Sequence, residues 1–129
     1  DPAADVWRTL PPVRLSPQAS AASWTGSGVL AWDYDLRVAL YDPERNAWRR
    51  PPGPPIDACE VYPDLAANGR VAFARGCGDA LWDLEAGRWV KVQKTPRSGQ
   101  GRIVAAGPVF LIAGASHESS GNGLVAYHP

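Results

Sequence analysis

The sequence predicts an all-β protein made of three repeats, each long enough for a four-stranded antiparallel sheet. Three observations carry that reading. Composition favours short strands and tight turns, with 13 Gly, 13 Pro and 6 Trp in 129 residues. A tryptophan recurs every 41 residues, at Trp7, Trp48 and Trp89. Short runs of β-branched and aromatic residues, entered from glycine turns, fill matching places between those tryptophans.

Hydrophobic residues make up 45% and charged residues 20%, too apolar for a disordered chain. Thirteen Lys and Arg balance thirteen Asp and Glu. A net charge of zero removes the usual electrostatic case for nucleic acid or an anionic membrane as partner. No segment approaches the roughly 18 consecutive apolar residues of a membrane span. The longest apolar stretch, Val104 to Ala115, contains Gly107, Pro108 and Gly114 and reads as two short strands around a turn.

The repeat has more than one anchor. Gly28 and Gly69 are 41 residues apart, as are Tyr41 and Trp82, Asp42 and Asp83, and Glu44 and Glu85. The first strand run, Gly28-Val29-Leu30-Ala31-Trp32, aligns at that period with Gly69-Arg70-Val71-Ala72-Phe73. In the third repeat it aligns with Gly107-Pro108-Val109-Phe110-Leu111-Ile112. A second run follows as Val38-Ala39-Leu40-Tyr41, Ala80-Leu81-Trp82 and Leu124-Val125-Ala126-Tyr127. Next comes a turn, Asp42-Pro43-Glu44-Arg45-Asn46-Ala47, ending on the recurring tryptophan. Proline presets its second position, and Asp83-Leu84-Glu85-Ala86-Gly87-Arg88 is the same turn with Gly supplying a positive φ. The third repeat drifts. Gly107 follows Gly69 by 38 residues, and seven extra residues fall around Ser116 to Asn122.

The segment Ala-Leu-Tyr-Asp-Pro-Glu-Arg-Asn-Ala-Trp (39–48) and the segment Gly-Arg-Val-Ala-Phe … Leu-Trp-Asp-Leu-Glu-Ala-Gly-Arg-Trp (69–89) resemble kelch-type repeats. The Tyr-turn-Trp part of that pattern is kept. Its paired glycine is replaced by Asp33-Tyr34, Arg75-Gly76 and Ala113-Gly114, so the resemblance is to a divergent kelch-like or galactose-oxidase-like repeat. It covers nearly the whole chain and implies a partial β-propeller of three four-stranded antiparallel blades. The layout is permuted, so that the N-terminal strand is the outer strand of a blade. Residues 1–10 supply that outer strand, 11–50 the first blade, 51–92 the second, and 93–129 a third blade lacking its outer strand. All of 1–129 forms one propeller segment. Known propellers have at least about four blades. The expected partners are therefore a second copy, closing a six-bladed ring with exchanged outer strands, or the remaining blades of a longer protein.

Propeller ligands sit at one end of the blades, on loops between second and third strands. Here those loops are 32–37, 75–79 and 116–122, the parts that differ most between repeats. Asp33 and Asp35 are candidates for a cation or a sugar hydroxyl, against the plainer reading of an acidic solvated turn. Trp32 and Tyr34 are candidates for stacking on a sugar or peptide, against blade packing for Trp32. Arg75 and Asp79 flank the second loop. His117 and Glu118 place an imidazole beside a carboxylate, but neighbours in an extended chain point to opposite sides. A surface loop is the plainer reading there.

Cys59 and Cys77 are the only cysteines. The blade layout puts them at one end of the second blade, which allows a disulfide; two free thiols are the alternative. A disulfide would go with an extracellular or periplasmic location, and free thiols with the cytoplasm. No phosphate loop, zinc-protease helix, calcium loop or hydrolase elbow appears, so no cofactor or metal is expected. The functional expectation is a non-catalytic binding or scaffolding propeller that recognises a protein, peptide or glycan. The alternative is part of a propeller enzyme, glycan-acting or a copper-dependent oxidase, with its active residues elsewhere.

Overall fold

A computed structural model describes residues 7–17, 20–57, 62–93, 101–114 and 123–129. Among them every regular element is a strand, and there are three antiparallel sheets. The first sheet holds β1 (Ser20–Trp24), β2 (Val29–Asp33), β3 (Val38–Asp42) and β4 (Ala47–Arg49) in sequence order. The second holds β5 (Asp64–Ala67), β6 (Val71–Arg75), β7 (Asp79–Asp83) and β8 (Arg88–Lys91) in the same order. The third has three strands, β9 (Gly101–Ala106), β10 (Val109–Gly114) and β11 (Gly123–Tyr127), with β10 in the middle. The sheets do not close on one another into a barrel. In the first two sheets consecutive strands pair across connections of three or four residues, which suit antiparallel neighbours.

The turns follow their sequence chemistry. The Asp42 carboxylate accepts from the amides of Glu44 and Arg45, and Asp83 does the same for Glu85 and Ala86. These are Asx turns, in which a short side chain replaces a backbone acceptor. Asn46 (φ 50°) and Gly87 (φ 62°) take the left-handed position one residue before β4 and β8. Each turn delivers its tryptophan opposite an aromatic, as Tyr41 to Trp48 and Trp82 to Trp89. The ring centroids are 5.1 and 5.2 Å apart in tilted, edge-on arrangements favoured by the ring quadrupole.

Two apolar layers lie between the sheets. Leu30, Trp32 and Val38 of the first sheet pack on Leu65, Ala72, Ala74 and Trp82 of the second. The opposite face of the second, with Ala66, Phe73 and Leu81, packs on Ile103, Phe110 and Ile112 of the third. Phe73 meets Phe110 at 5.6 Å and the edge of Tyr127 at 5.2 Å. The second sheet is thus covered on both faces, which explains why β6 and β7 are apolar runs instead of alternating strands.

The first strands stand side by side, β1 against β5 and β5 against β9. Asp64 binds this seam together. Its backbone carbonyl accepts the Trp32 indole N–H at 3.3 Å, and its carboxylate accepts the Ile103 amide at 2.8 Å.

At 7–10, within the outer strand expected over 1–10, the chain of a single protomer is irregular and Trp7 is 95% exposed. A strand needs a neighbour for its amides, and none of the described strands pairs with this segment. One sequence expectation changes, the equivalence of Gly28 with Gly69. The turn closed by Thr25 N–H to the Gly28 carbonyl matches the turn closed by Asn68 N–H to the Val71 carbonyl. Gly26 (φ 99°) and Gly69 (φ 85°) are therefore the matching glycines. Tyr41 pairs with Val29, whereas Trp82 pairs with Ala72. The β6–β7 connection is shorter than the β2–β3 connection, and this shifts the first half of the repeat relative to the second.

Candidate functional site

The connections β2–β3 and β6–β7 come together at one end of the first two sheets. A Cβ placed on Gly76 would lie 3.1 Å from Cη2 of Trp32, so the short loop 76–78 rests on that indole. The last paired positions before these loops differ in kind. In the first sheet they are Trp32 and Val38; in the second they are Arg75 and Asp79.

Trp32 is 1% exposed and belongs to the core between the first two sheets. Asp33 is fully buried, and its two carboxylate oxygens accept the amides of Ser16 and Arg37 at 2.9 and 3.0 Å. That carboxylate ties the segment before β1 to the β2–β3 loop. Arg75 and Asp79 are buried together, with Nε of Arg75 3.9 Å from Oδ1 of Asp79. Tyr34 and Asp35 stand on the surface, and Asp35 pairs with Arg37 at 3.0 Å. The structure therefore brings loops 33–37 and 75–79 to one end, but exposes only Tyr34 and Asp35 of the six candidates there. His117 and Glu118 lie outside the described residues. Cys77 is disulfide-bonded and exposed on the 76–78 loop; Cys59, the other cysteine of the chain, also lies outside the described residues.

A cleft of about 570 Å³ runs beside the β2–β3 loop, with Val13, Arg14, Leu36, Arg37, Arg50 and Pro51 among its walls. Sequence reasoning missed Arg14 and Arg50. Each lies close to a Pro-Pro pair: Arg14 follows Pro11-Pro12 after Val13, and Arg50 directly precedes Pro51-Pro52. That signal marks extended chain, but only the fold brings the two segments together. The Trp48 indole N–H donates to the Pro11 carbonyl at 2.9 Å, and Asp33 holds Ser16. Leu36 takes a left-handed conformation (φ 60°), and a Cβ on Gly53 would fall 2.6 Å from its carbonyl oxygen. Glycine is needed there because the backbones touch.

Arg37 is partly neutralised by Asp35 and, at 3.7 Å, by Asp33. Arg14 and Arg50 are exposed, and among the described residues neither forms an ion pair. The described lining contains no carboxylate, imidazole, thiol or hydroxyl side chain. Such walls can hold an anion but offer neither nucleophile nor proton acceptor. Among the described residues no group of three or more His, Cys, Asp and Glu is placed for a metal, and no helix is long and apolar enough to cross a membrane.

A second, smaller concavity of about 350 Å³ lies by the β3–β4 turn, with Tyr41, Asp42 and Arg45 on its walls. The Arg45 amide, then its guanidinium, holds the Asp42 carboxyl below the usual carboxylate range. This spot is already ion-paired within itself. Tyr127 moves the other way: burial first, and then the charge of Asp79, pushes its hydroxyl above the ordinary tyrosine value.

No protein-family model matches the sequence, and no curated protein matches it.

Proposed function

We propose that the chain forms three blades of a kelch-like β-propeller and acts as a non-catalytic binding module for a protein, peptide or glycan. The observation that carries this reading is the side-by-side placement of β1, β5 and β9, with the two complete sheets repeating the same strand order. First strands that neighbour one another are what blades around a common axis require. The loops at the Tyr34 end, together with the adjoining cleft, supply the recognition surface.

A propeller reading makes assembly part of function. The face of the third sheet turned away from the second carries Val104 (59% exposed) and Leu124 (64% exposed), and the first sheet carries Trp24 (54% exposed). In the middle sheet both faces are covered. Exposed apolar faces of this kind suit further blades, from a second copy or from more of the same protein. The disulfide at Cys77 supports an extracellular or periplasmic location.

The test is an array of peptides and glycans probed with the wild-type chain and with Tyr34→Ala, combined with solution mass. Binding that weakens in the variant supports the module. A chain that binds nothing on either array, or binds equally well without Tyr34, sinks the assignment of the loop end. A protomer that stays single at high concentration removes the second copy as the source of missing blades.

A further inference from the structure

Building on the binding-module reading, we propose that the cleft beside β2–β3 is a receptor for an acidic peptide segment carrying an apolar side chain between its carboxylates. The charge is local. The chain as a whole is neutral, yet the described lining of this cleft holds three arginines and no acid. They come from three separate segments: Arg14 from the stretch before β1, Arg37 from the β2–β3 loop, and Arg50 from the end of β4. Three guanidinium groups lining one cleft carry more positive charge than a single compact anion neutralises, which suits several carboxylates in one chain. Arg37 is committed to Asp33 and Asp35, which leaves Arg14 and Arg50 as the receiving pair. Guanidinium groups present a planar fork that matches a carboxylate in two hydrogen bonds.

The same lining also carries apolar side chains, Val13, Leu36 and Pro51. At about 570 Å³ the space exceeds what a lone anion fills and takes a side chain of leucine size alongside its flanking carboxylates. The wall is also fixed in advance. Leu36 is held in a conformation that non-glycine residues seldom adopt, with Gly53 packed on its carbonyl. Prior ordering lowers the entropy cost of capture.

The test is fluorescence polarisation with a labelled Glu-Leu-Glu-Leu-Glu peptide, its Gln-Leu-Gln-Leu-Gln counterpart, and inorganic phosphate as competitor. The expected result is saturable binding of the acidic peptide that weakens at higher salt. Binding of the glutamine peptide, and binding by an Arg14→Gln/Arg50→Gln double variant, should be weaker by about tenfold or more. Phosphate should displace the peptide poorly. Circular dichroism melting of the double variant shows whether its sheets are retained; if they are not, the single variants take its place. Equal binding of the two peptides, equal binding by the variants, no binding at all, or full displacement by equimolar phosphate would each overturn the proposal. If the chain captures array ligands through Tyr34 but ignores the acidic peptide, the cleft assignment alone fails. If it captures nothing in either assay, the module reading fails with it.

Discussion

The Asp64 carboxylate accepts a hydrogen bond from the Ile103 amide at 2.8 Å, and so carries the second sheet onto the first strand of the third. The Asp64 carbonyl also accepts the Trp32 indole N–H, so one residue touches all three sheets. Asp64→Ala removes the carboxylate and leaves the indole contact, which uses the backbone. It should cost about 1–3 kcal/mol, the range for stranding a partly buried amide. Asp64→Asn keeps an acceptor and should recover part of the loss. Urea denaturation of the three proteins checks this; an unchanged midpoint for Asp64→Ala would mean that the seam does not depend on the carboxylate.

Each of the two complete sheets has an indole latch of the same span. Trp48 donates to the Pro11 carbonyl at 2.9 Å, and Trp89 donates to the Pro52 carbonyl at 2.7 Å. Phenylalanine at either position keeps most of the ring contact and loses the donor. A loss of about 1 kcal/mol is expected for each, and the two losses should add because the latches share no partner. Only Trp48→Phe should release the segment around Arg14, read as faster tryptic cleavage there. Identical digestion of both variants would contradict the role of the Pro11 latch.

Two glycines should fail for different reasons when changed to alanine. At Gly28 a Cβ would lie 2.3 Å from the Tyr41 carbonyl oxygen, so backbone must move and the β2–β3 pairing with it. At Gly69 there is open space, but φ is 85°. The Gly69→Ala cost should stay near about 1–2 kcal/mol and shrink with Asn, which tolerates that region better. Gly28→Ala should cost more, and Asn there should not rescue it. Thermal melts of the four variants separate strain from collision.

Stability should fall in alkali through Tyr127. Burial, with Asp79 as the lesser cause, raises the folded-state pKa above the unfolded value. The folded chain then holds its proton longer than the unfolded chain does. The contribution is complete below about pH 10 and is lost as pH climbs through the folded value. Tyr127→Phe should show a shallower decline of unfolding free energy between about pH 9 and about pH 11. Parallel declines in the two proteins would assign the effect to other groups.

What the sequence could disclose was set by how far apart the relevant residues lie. The Tyr-turn-Trp unit is local: Asx turns and a left-handed residue lead straight into β4 and β8, and the period of 41 holds across them. Counting failed at Gly28 and Gly69 because the β2–β3 and β6–β7 connections differ in length, which no residue type announces. It paired Trp32 with Phe73, whereas the sheet register sets Trp32 where Arg75 stands. The candidate site was only half visible for a related reason. Tyr34 and Asp35 advertise a surface turn, but the burial of Trp32, Asp33, Arg75 and Asp79 depends on sheets stacking across the loop end. Arg14 and Arg50 line one cleft only after the Pro11 latch and the Asp33–Ser16 bond have fixed the segment before β1.

The third sheet ends on β11, which pairs with β10 and, among the described residues, with nothing beyond it. Alternate peptide groups of an antiparallel strand point to opposite neighbours, so every second N–H of β11 faces outward with no strand among the described residues to receive it. In β3 and β7 both directions are taken. Amide deuteration along residues 123–127 of an isolated protomer should therefore follow a two-residue rhythm of fast and slow positions, while 38–42 and 79–83 label slowly throughout. Docking of another strand on that edge would erase the rhythm and turn a labelling pattern into a direct reporter of assembly.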